Sequence, residues 1–218
     1  MTINSPTSVP PAKPRGRPRK TLEEREDGNR KKELLSVAAR LFRHQGFNAT
    51  STRDIAAAAG MRSGSPFYHF KSKGDLLFAV MEEGMRSALA KQVAARQTMQ
   101  LSEPVLPSPR QQLHALVRQH FEVLLGSDSD FIPVMLYERR AITDEQRYTL
   151  TQLQRDYEAV WLPVLEALHT SGQLRCPVKL ARLLIFGALN WSVQWFDCQQ
   201  TESLDSLTDA AITLFINH

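Results

Sequence analysis

The sequence is poor in every feature that would make it a secreted, membrane-spanning or metal-bearing protein. Only two cysteines occur in 218 residues, Cys176 and Cys198, too few for a disulfide framework and without the paired spacing of a metal site. No apolar run approaches the roughly 20 residues needed to cross a bilayer. The most apolar stretch, 180–195, is interrupted by Arg182, Asn190, Ser192 and Gln194. The N-terminus carries prolines and arginines in place of a signal peptide's apolar core. No Gly-rich phosphate loop is present, and no segment alternates apolar and polar residues as a strand would. A cytoplasmic chain with no membrane contact, no cofactor and no metal is expected.

What is there is a sizeable apolar fraction, 42% of residues, enough for a real core. The net charge of +4 hides an asymmetry. Residues 1–80 hold 15 Lys/Arg against 7 Asp/Glu, whereas residues 81–218 hold 12 against 16. A basic front and an acidic rear suggest that one end meets a polyanion.

Residues 1–20 contain five of the twelve prolines and almost no large apolar side chain, so they cannot bury enough surface to offset their ordering entropy. A disordered basic arm over 1–26 is expected, then a small helical domain over 27–87 and a larger one over 88–218. A helix from Asn29 carries Leu34, Ala38, Leu41 and Phe42 on one stripe and stops at Gly46. Thr50 or Ser51 caps a second helix from Thr52 to Ala59, Gly60 turns the chain, and a third helix runs from Ser63 to Phe70. Further helices are expected at 73–98, 110–125, 131–141, 144–170, 178–198 and 204–217. Thr143 and Gln146 form a capping-box pattern at the start of the one from Asp144. The fold class is all-α, with about nine helices.

Two short helices about a glycine turn can lay the second in a DNA major groove, where base edges are distinguishable. The residues that carry this are Gly46-Phe47, Thr50-Ser51-Thr52, Ile55-Ala56, Ala59-Gly60 and the close Phe67-Tyr68-His69-Phe70-Lys71-Ser72-Lys73. This run, dense over about residues 30–80, resembles the signature of the TetR family of transcriptional regulators. Two positions depart from it. Pro66 stands where the family usually has an aliphatic residue, and Phe67 replaces a more common tyrosine.

The resemblance implies an N-terminal helix-turn-helix domain and a C-terminal helical domain for ligand binding and dimerisation. By position, Arg62, Ser63 and Ser65 are candidates for base edges. Thr50, Thr52, Arg53, Tyr68, His69, Lys71 and Lys73 are candidates for phosphates. Ahead of them, Pro14-Arg15-Gly16-Arg17-Pro18 resembles an AT-hook, whose Arg15 and Arg17 would enter a narrow minor groove.

The family pairs its last two helices with their copies. Here Leu180, Leu184, Gly187, Ala188, Trp191 and Trp195 form a stripe with small residues in its middle, and Leu207, Ala211 and Leu214 follow on the next helix. A homodimer would set two heads on successive turns of a palindromic operator. Phe121, Phe131, Met135, Tyr137, Arg140, Trp161, Leu165, Phe186 and Asn190 are the candidate pocket residues, with Arg139 beside them. The segment 186–196 resembles the matching helix of branches that respond to acyl-CoA thioesters, which makes an acyl-CoA the expected effector. Repression relieved by that ligand is what the resemblance implies. Ligand-dependent activation and sequence-nonspecific architectural binding are the alternatives. An enzyme would need Cys176 or Cys198 paired with His114, His120 or His169, and nothing in the sequence activates either thiol.

Overall fold

The computed structural model describes residues 22–61, 66–101, 107–126, 130–197 and 202–217. All regular structure among them is helical: α1 (Leu22–Gln45), α2 (Thr52–Ala58), α3 (Pro66–His69), α4 (Lys73–Leu101), α5 (Pro109–Leu125), α6 (Phe131–Glu138), α7 (Asp144–Ala159), α8 (Leu162–Thr170), α9 (Val178–Trp191) and α10 (Leu204–Phe215). Short 3-10 turns follow α6 at Arg139–Ala141 and α9 at Ser192–Gln194.

The boundaries follow local chemistry. Gly46 (φ +81°) and Gly60 (φ +63°) supply the left-handed backbone that turns the chain after α1 and after α2. Of the two cap candidates for α2, Ser51 does the work, in a reciprocal capping box with Asp54. Ser108 with Gln111 and Thr143 with Gln146 open α5 and α7 in the same way.

One expected helix is two. The run 144–170 breaks after Ala159, because Pro163 offers no amide to the carbonyl four residues back and its ring crowds that carbonyl. The first helix also begins earlier than expected, at Leu22, and so takes in part of the 1–26 segment.

α4 organises the molecule. Its 29 residues span about 43 Å and pack against α1, α5, α6 and α7. The helix is continuous across 87/88, so the head and the body share one rod. Leu34, Ala38, Phe42, Ile55, Leu76 and Leu77 bury the head. Trp161, Phe121, Leu124, Leu150 and Leu165 bury the body, and both belong to one continuous apolar cluster. Where α4 meets α6, Gly84 lets the helices touch. A Cβ built there would lie 2.7 Å from that of Phe131, closer than two carbons can come.

Candidate functional site

The head turns several expected contacts inward. Thr50 is only 1% exposed, and its hydroxyl donates to the Gly46 carbonyl at 2.8 Å. It ties the C-terminus of α1 to the next corner, so the outward phosphate role expected of it does not hold. Lys73 is likewise engaged. Its Nζ donates to the carbonyls of Phe47 (2.8 Å) and Thr50 (2.9 Å) and lies 4.2 Å from the centre of the Phe47 ring. An ammonium has three donors, so two of them staple the start of α4 to the corner before α2. Phe47 donates its own amide to Glu138 Oε1 at 2.9 Å.

Other head residues face out. Arg53 and Lys71 are exposed, Thr52 and His69 are half-buried, and Tyr68 is 82% exposed with its ring edge-on to His69. The candidates Arg62, Ser63 and Ser65, and the arm residues Arg15 and Arg17, lie outside the described residues.

In the body, helices α4, α5, α6, α7 and α9 line an open-mouthed cavity of about 130 Å³. Met85, Ala88, Val123, Leu124, Ile132, Met135, Leu136 and Phe186 make its apolar wall, and His120, Arg139, Gln154, Tyr157, Glu158 and Asn190 its polar one. Four sequence candidates line it: Met135, Arg139, Phe186 and Asn190. Phe121, Trp161 and Leu165 are instead packed in the core outside the lining, where their size serves close packing. Phe131 lines a neighbouring hollow, and Tyr137 is half-exposed and bonded to Gln194. Arg140 is exposed, and Arg139 takes the cavity position, because successive residues of a helical turn point about a quarter-turn or more apart.

Sequence reasoning missed His120, Tyr157, Gln154 and Glu158 as lining residues. A signal existed for one: His120 interrupts the apolar stripe Leu113, Leu116, Val117, Phe121, Leu124 on α5, and a polar residue on such a stripe needs a partner.

The polar wall is tied together by two chains of hydrogen bonds. Gln92 Nε2 donates to the Leu116 carbonyl (3.2 Å) and to the Tyr157 hydroxyl (2.8 Å). That hydroxyl meets His120 Nδ1 at 2.9 Å, and His120 Nε2 meets Asn190 Oδ1 at 3.2 Å. On the other side, Arg139 donates to Gln154 Oε1 (3.1 Å) and Thr151 Oγ1 (2.5 Å), and Gln154 Nε2 donates to Glu158 Oε1 (2.8 Å). Glu158 Oε2 pairs with Arg182 of α9.

Burial pushes the Tyr157 hydroxyl further above its ordinary value and the His120 imidazole down to about 4, since the charged form is disfavoured out of water. The unfolded imidazole takes up a proton below about 6.5 and the folded one only near 4. Acidification across that window should therefore cost about 3 kcal/mol of stability. Urea unfolding followed against pH checks this, and a His120→Gln variant should lose that part of the slope.

The face expected to pair is exposed. Leu180, Leu183, Leu184 (65% exposed), Trp191 (64%) and Trp195 stand out from α9 and its following turn, and Leu214 (82%) from α10. Gly187 opens onto free space. Two expected members sit elsewhere. Ala211 is buried and Leu207 half-buried, on the side where α10 packs against α5.

The histidines of the enzyme alternative are occupied elsewhere. His114 meets Asp209, His120 the network, and His169 the Leu174 carbonyl. Cys176 is half-buried, and Cys198 lies outside the described residues.

A head of short helices turning on Gly60, a rod shared with the body, and a hollow body with a bare apolar helix face define a helix-turn-helix DNA-binding regulator. Comparison with known proteins makes the class specific. Residues 34–80 match the model of bacterial regulatory proteins of the tetR family, and residues 107–218 match that of the tetracyclin repressor-like C-terminal domain. The chain belongs to the TetR family of transcriptional regulators.

It is 28% identical over 191 residues to the HTH-type transcriptional repressor KstR2 of Rhodococcus jostii (strain RHA1), covering 86% of this chain and 90% of that one. Among solved structures, superantigen PfiT superposes with a TM-score of 0.70 at 34% identity, covering 86% and 96% of the two chains. AibR in complex with isovaleryl coenzyme A and operator DNA superposes with a TM-score of 0.74 at 22% identity, covering 85% and 97%.

Proposed function

We propose that the protein is a homodimeric cytoplasmic repressor, without catalytic activity, that leaves a two-fold symmetric operator when its cavity takes up an acyl thioester such as an acyl-CoA. The observation that carries this is that the cavity wall and the head are joined by the same helices. α4 runs from the head into the lining. α6 lines the cavity through Ile132, Met135 and Leu136 and is tied to the head at both ends. Asp130 pairs with Arg43 of α1 at 2.9 Å, and Glu138 accepts the Phe47 amide. A ligand that favours one setting of these helices changes the spacing of two paired heads, by no more than its differential affinity for the two settings.

The ligand class rests on shape and charge. A hollow of about 260 Å³ shares Ala88, Val123 and Ile132 with the cavity and carries Lys32 of α1 and Lys91 of α4, beside Glu83. An apolar chamber next to two lysines suits an acyl chain on a phosphorylated carrier. The relative named KstR2 is a repressor, and the neighbour AibR holds isovaleryl coenzyme A.

In the head, Arg62, Ser63 and Ser65 read bases, while Thr52, Arg53, Tyr68, His69 and Lys71 hold phosphates. Arg15 and Arg17 enter the adjacent minor groove. Fluorescence anisotropy of the purified protein on its own upstream duplex tests the whole reading. Binding should exceed that to random duplex at least about a hundredfold and be released by one acyl-CoA of a C4–C12 panel. Equal affinity for both duplexes would indicate architectural binding. Tighter operator binding with the ligand would indicate activation.

A further inference from the structure

Proton accounting along the buried polar wall decides what the cavity can hold. The Leu116 carbonyl can only accept, so the Gln92 amide must present its nitrogen there, and that nitrogen's second hydrogen points at the Tyr157 oxygen. This orientation leaves Gln92 Oε1 buried without a partner. It is kept because turning the amide would set oxygen against oxygen at Leu116. The Tyr157 hydroxyl accepts from Gln92, and its own hydrogen is assigned to His120 Nδ1, which lies 2.9 Å away and can accept when the imidazole is neutral. A neutral imidazole that accepts at Nδ1 carries its proton on Nε2, and Nε2 faces Asn190 Oδ1. Desolvation keeps that imidazole neutral, with its pKa lowered to about 4. The Asn190 oxygen is thereby used, and its NH2 group is the end of the relay, on a residue that lines the cavity.

The opposite wall has the same polarity. Both oxygens of Glu158 are taken, by Gln154 and Arg182, while Arg139 has five N–H donors and gives two to Gln154 and Thr151. Both polar sides of the chamber therefore offer donors.

We infer that the Asn190 side-chain amide donates to the carbonyl oxygen of the bound acyl group, and that Gln92, Tyr157 and His120 are positioning residues that fix its NH2 toward the ligand. This rests on the reading of the cavity as the effector site. It makes the protein selective for a ligand that presents an acceptor at this point in an otherwise apolar chamber. A thioester is recognised there and a thioether of equal length is not.

Two measurements test this. In uniformly 15N-labelled full-length protein without ligand, long-range 1H–15N correlation at neutral pH should show His120 protonated on Nε2 and bare on Nδ1. Protonation on Nδ1 would reverse the relay and overturn the inference. Calorimetry and operator release are then measured with acyl-CoA thioesters of C4–C12 and with the S-alkyl-CoA thioethers of the same lengths. The matching thioester should bind about tenfold or more tightly than its thioether, the effect of one unmade buried hydrogen bond. Asn190→Leu should bring the two within about threefold, by weakening the thioester. Tyr157→Phe removes the donor to His120 and should narrow the preference while leaving thioether affinity unchanged. A role in packing alone would weaken both series together. Equal binding of thioester and thioether to the unaltered protein sinks this inference and leaves the acyl-CoA repressor standing. If no member of either series binds, the acyl-thioester reading falls and takes the inference with it.

Discussion

Replacing Leu184 and Trp191 together by glutamate is expected to leave a folded monomer whose operator affinity is lower by about a thousandfold. Both side chains stand about two-thirds exposed on α9, on one stripe with Leu180, Gly187 and Trp195, and neither belongs to the buried apolar cluster of the described residues. Aromatic and large apolar residues in such a patch carry a disproportionate share of association energy, and four carboxylates facing one another across a two-fold axis would oppose it. Loss of pairing converts a bivalent hold on two half-sites into two independent weak ones, and that gain alone is worth about 10²–10⁴ in affinity. Sedimentation equilibrium and anisotropy on the same samples check the prediction. A variant that stays dimeric with unchanged affinity would move the pairing face elsewhere. Ala211→Glu is the contrast: that residue is buried, so the substitution should lower the melting temperature rather than yield a stable monomer.

Lys73→Met is expected to cost about 3 kcal/mol of stability, and to weaken operator binding at every salt concentration by about the same factor. The substitution keeps the aliphatic stem but removes the two charge-assisted bonds to the Phe47 and Thr50 carbonyls and the ammonium over the Phe47 ring. What is lost is the angle between α4 and the corner before α2, and with it the pose of the reading helix. A lysine that held a phosphate would behave differently: its removal would reduce the salt slope by about one. Chemical unfolding and a salt titration of operator affinity separate these outcomes. An intact stability with a shallower slope would return Lys73 to the DNA surface.

That pair of alternatives shows where sequence reading stops. The helix-turn-helix was legible because it depends on backbone chemistry that single residues announce. Gly46 and Gly60 take the left-handed backbone that their places at the ends of helices require, and Ser51 caps α2; in the body, Thr143 with Gln146 announces the start of α7 in the same way. Side-chain direction at the same sites was not legible. Thr50 and Lys73 belong to a signature associated with DNA, yet both turn inward, because the carbonyls left over at the α1–α2 corner need donors.

The cavity was legible only in part for a related reason. Periodicity marks which residues of a helix face inward, but whether an inward residue meets another side chain or a void depends on how far apart five helices stand. Phe186 and Trp161 are both buried and their rings lie 4.7 Å apart, and only Phe186 reaches the void. The missing amide of Pro163, which splits α7 from α8, was in plain view in the sequence and outweighs the apolar period that runs through it.

The contact at Gly84 has a meaning for how faithfully the molecule reports its ligand. With no side chain between the α4 backbone and Phe131, the two helices mesh without backlash. A displacement of α6 by an occupant of the cavity is passed to the rod in full rather than absorbed by rotating side chains, since close-packed interiors have little compressibility to absorb it. The protein thus trades tolerance for fidelity: there is no room at Gly84 for a side chain without prising α6 from the rod.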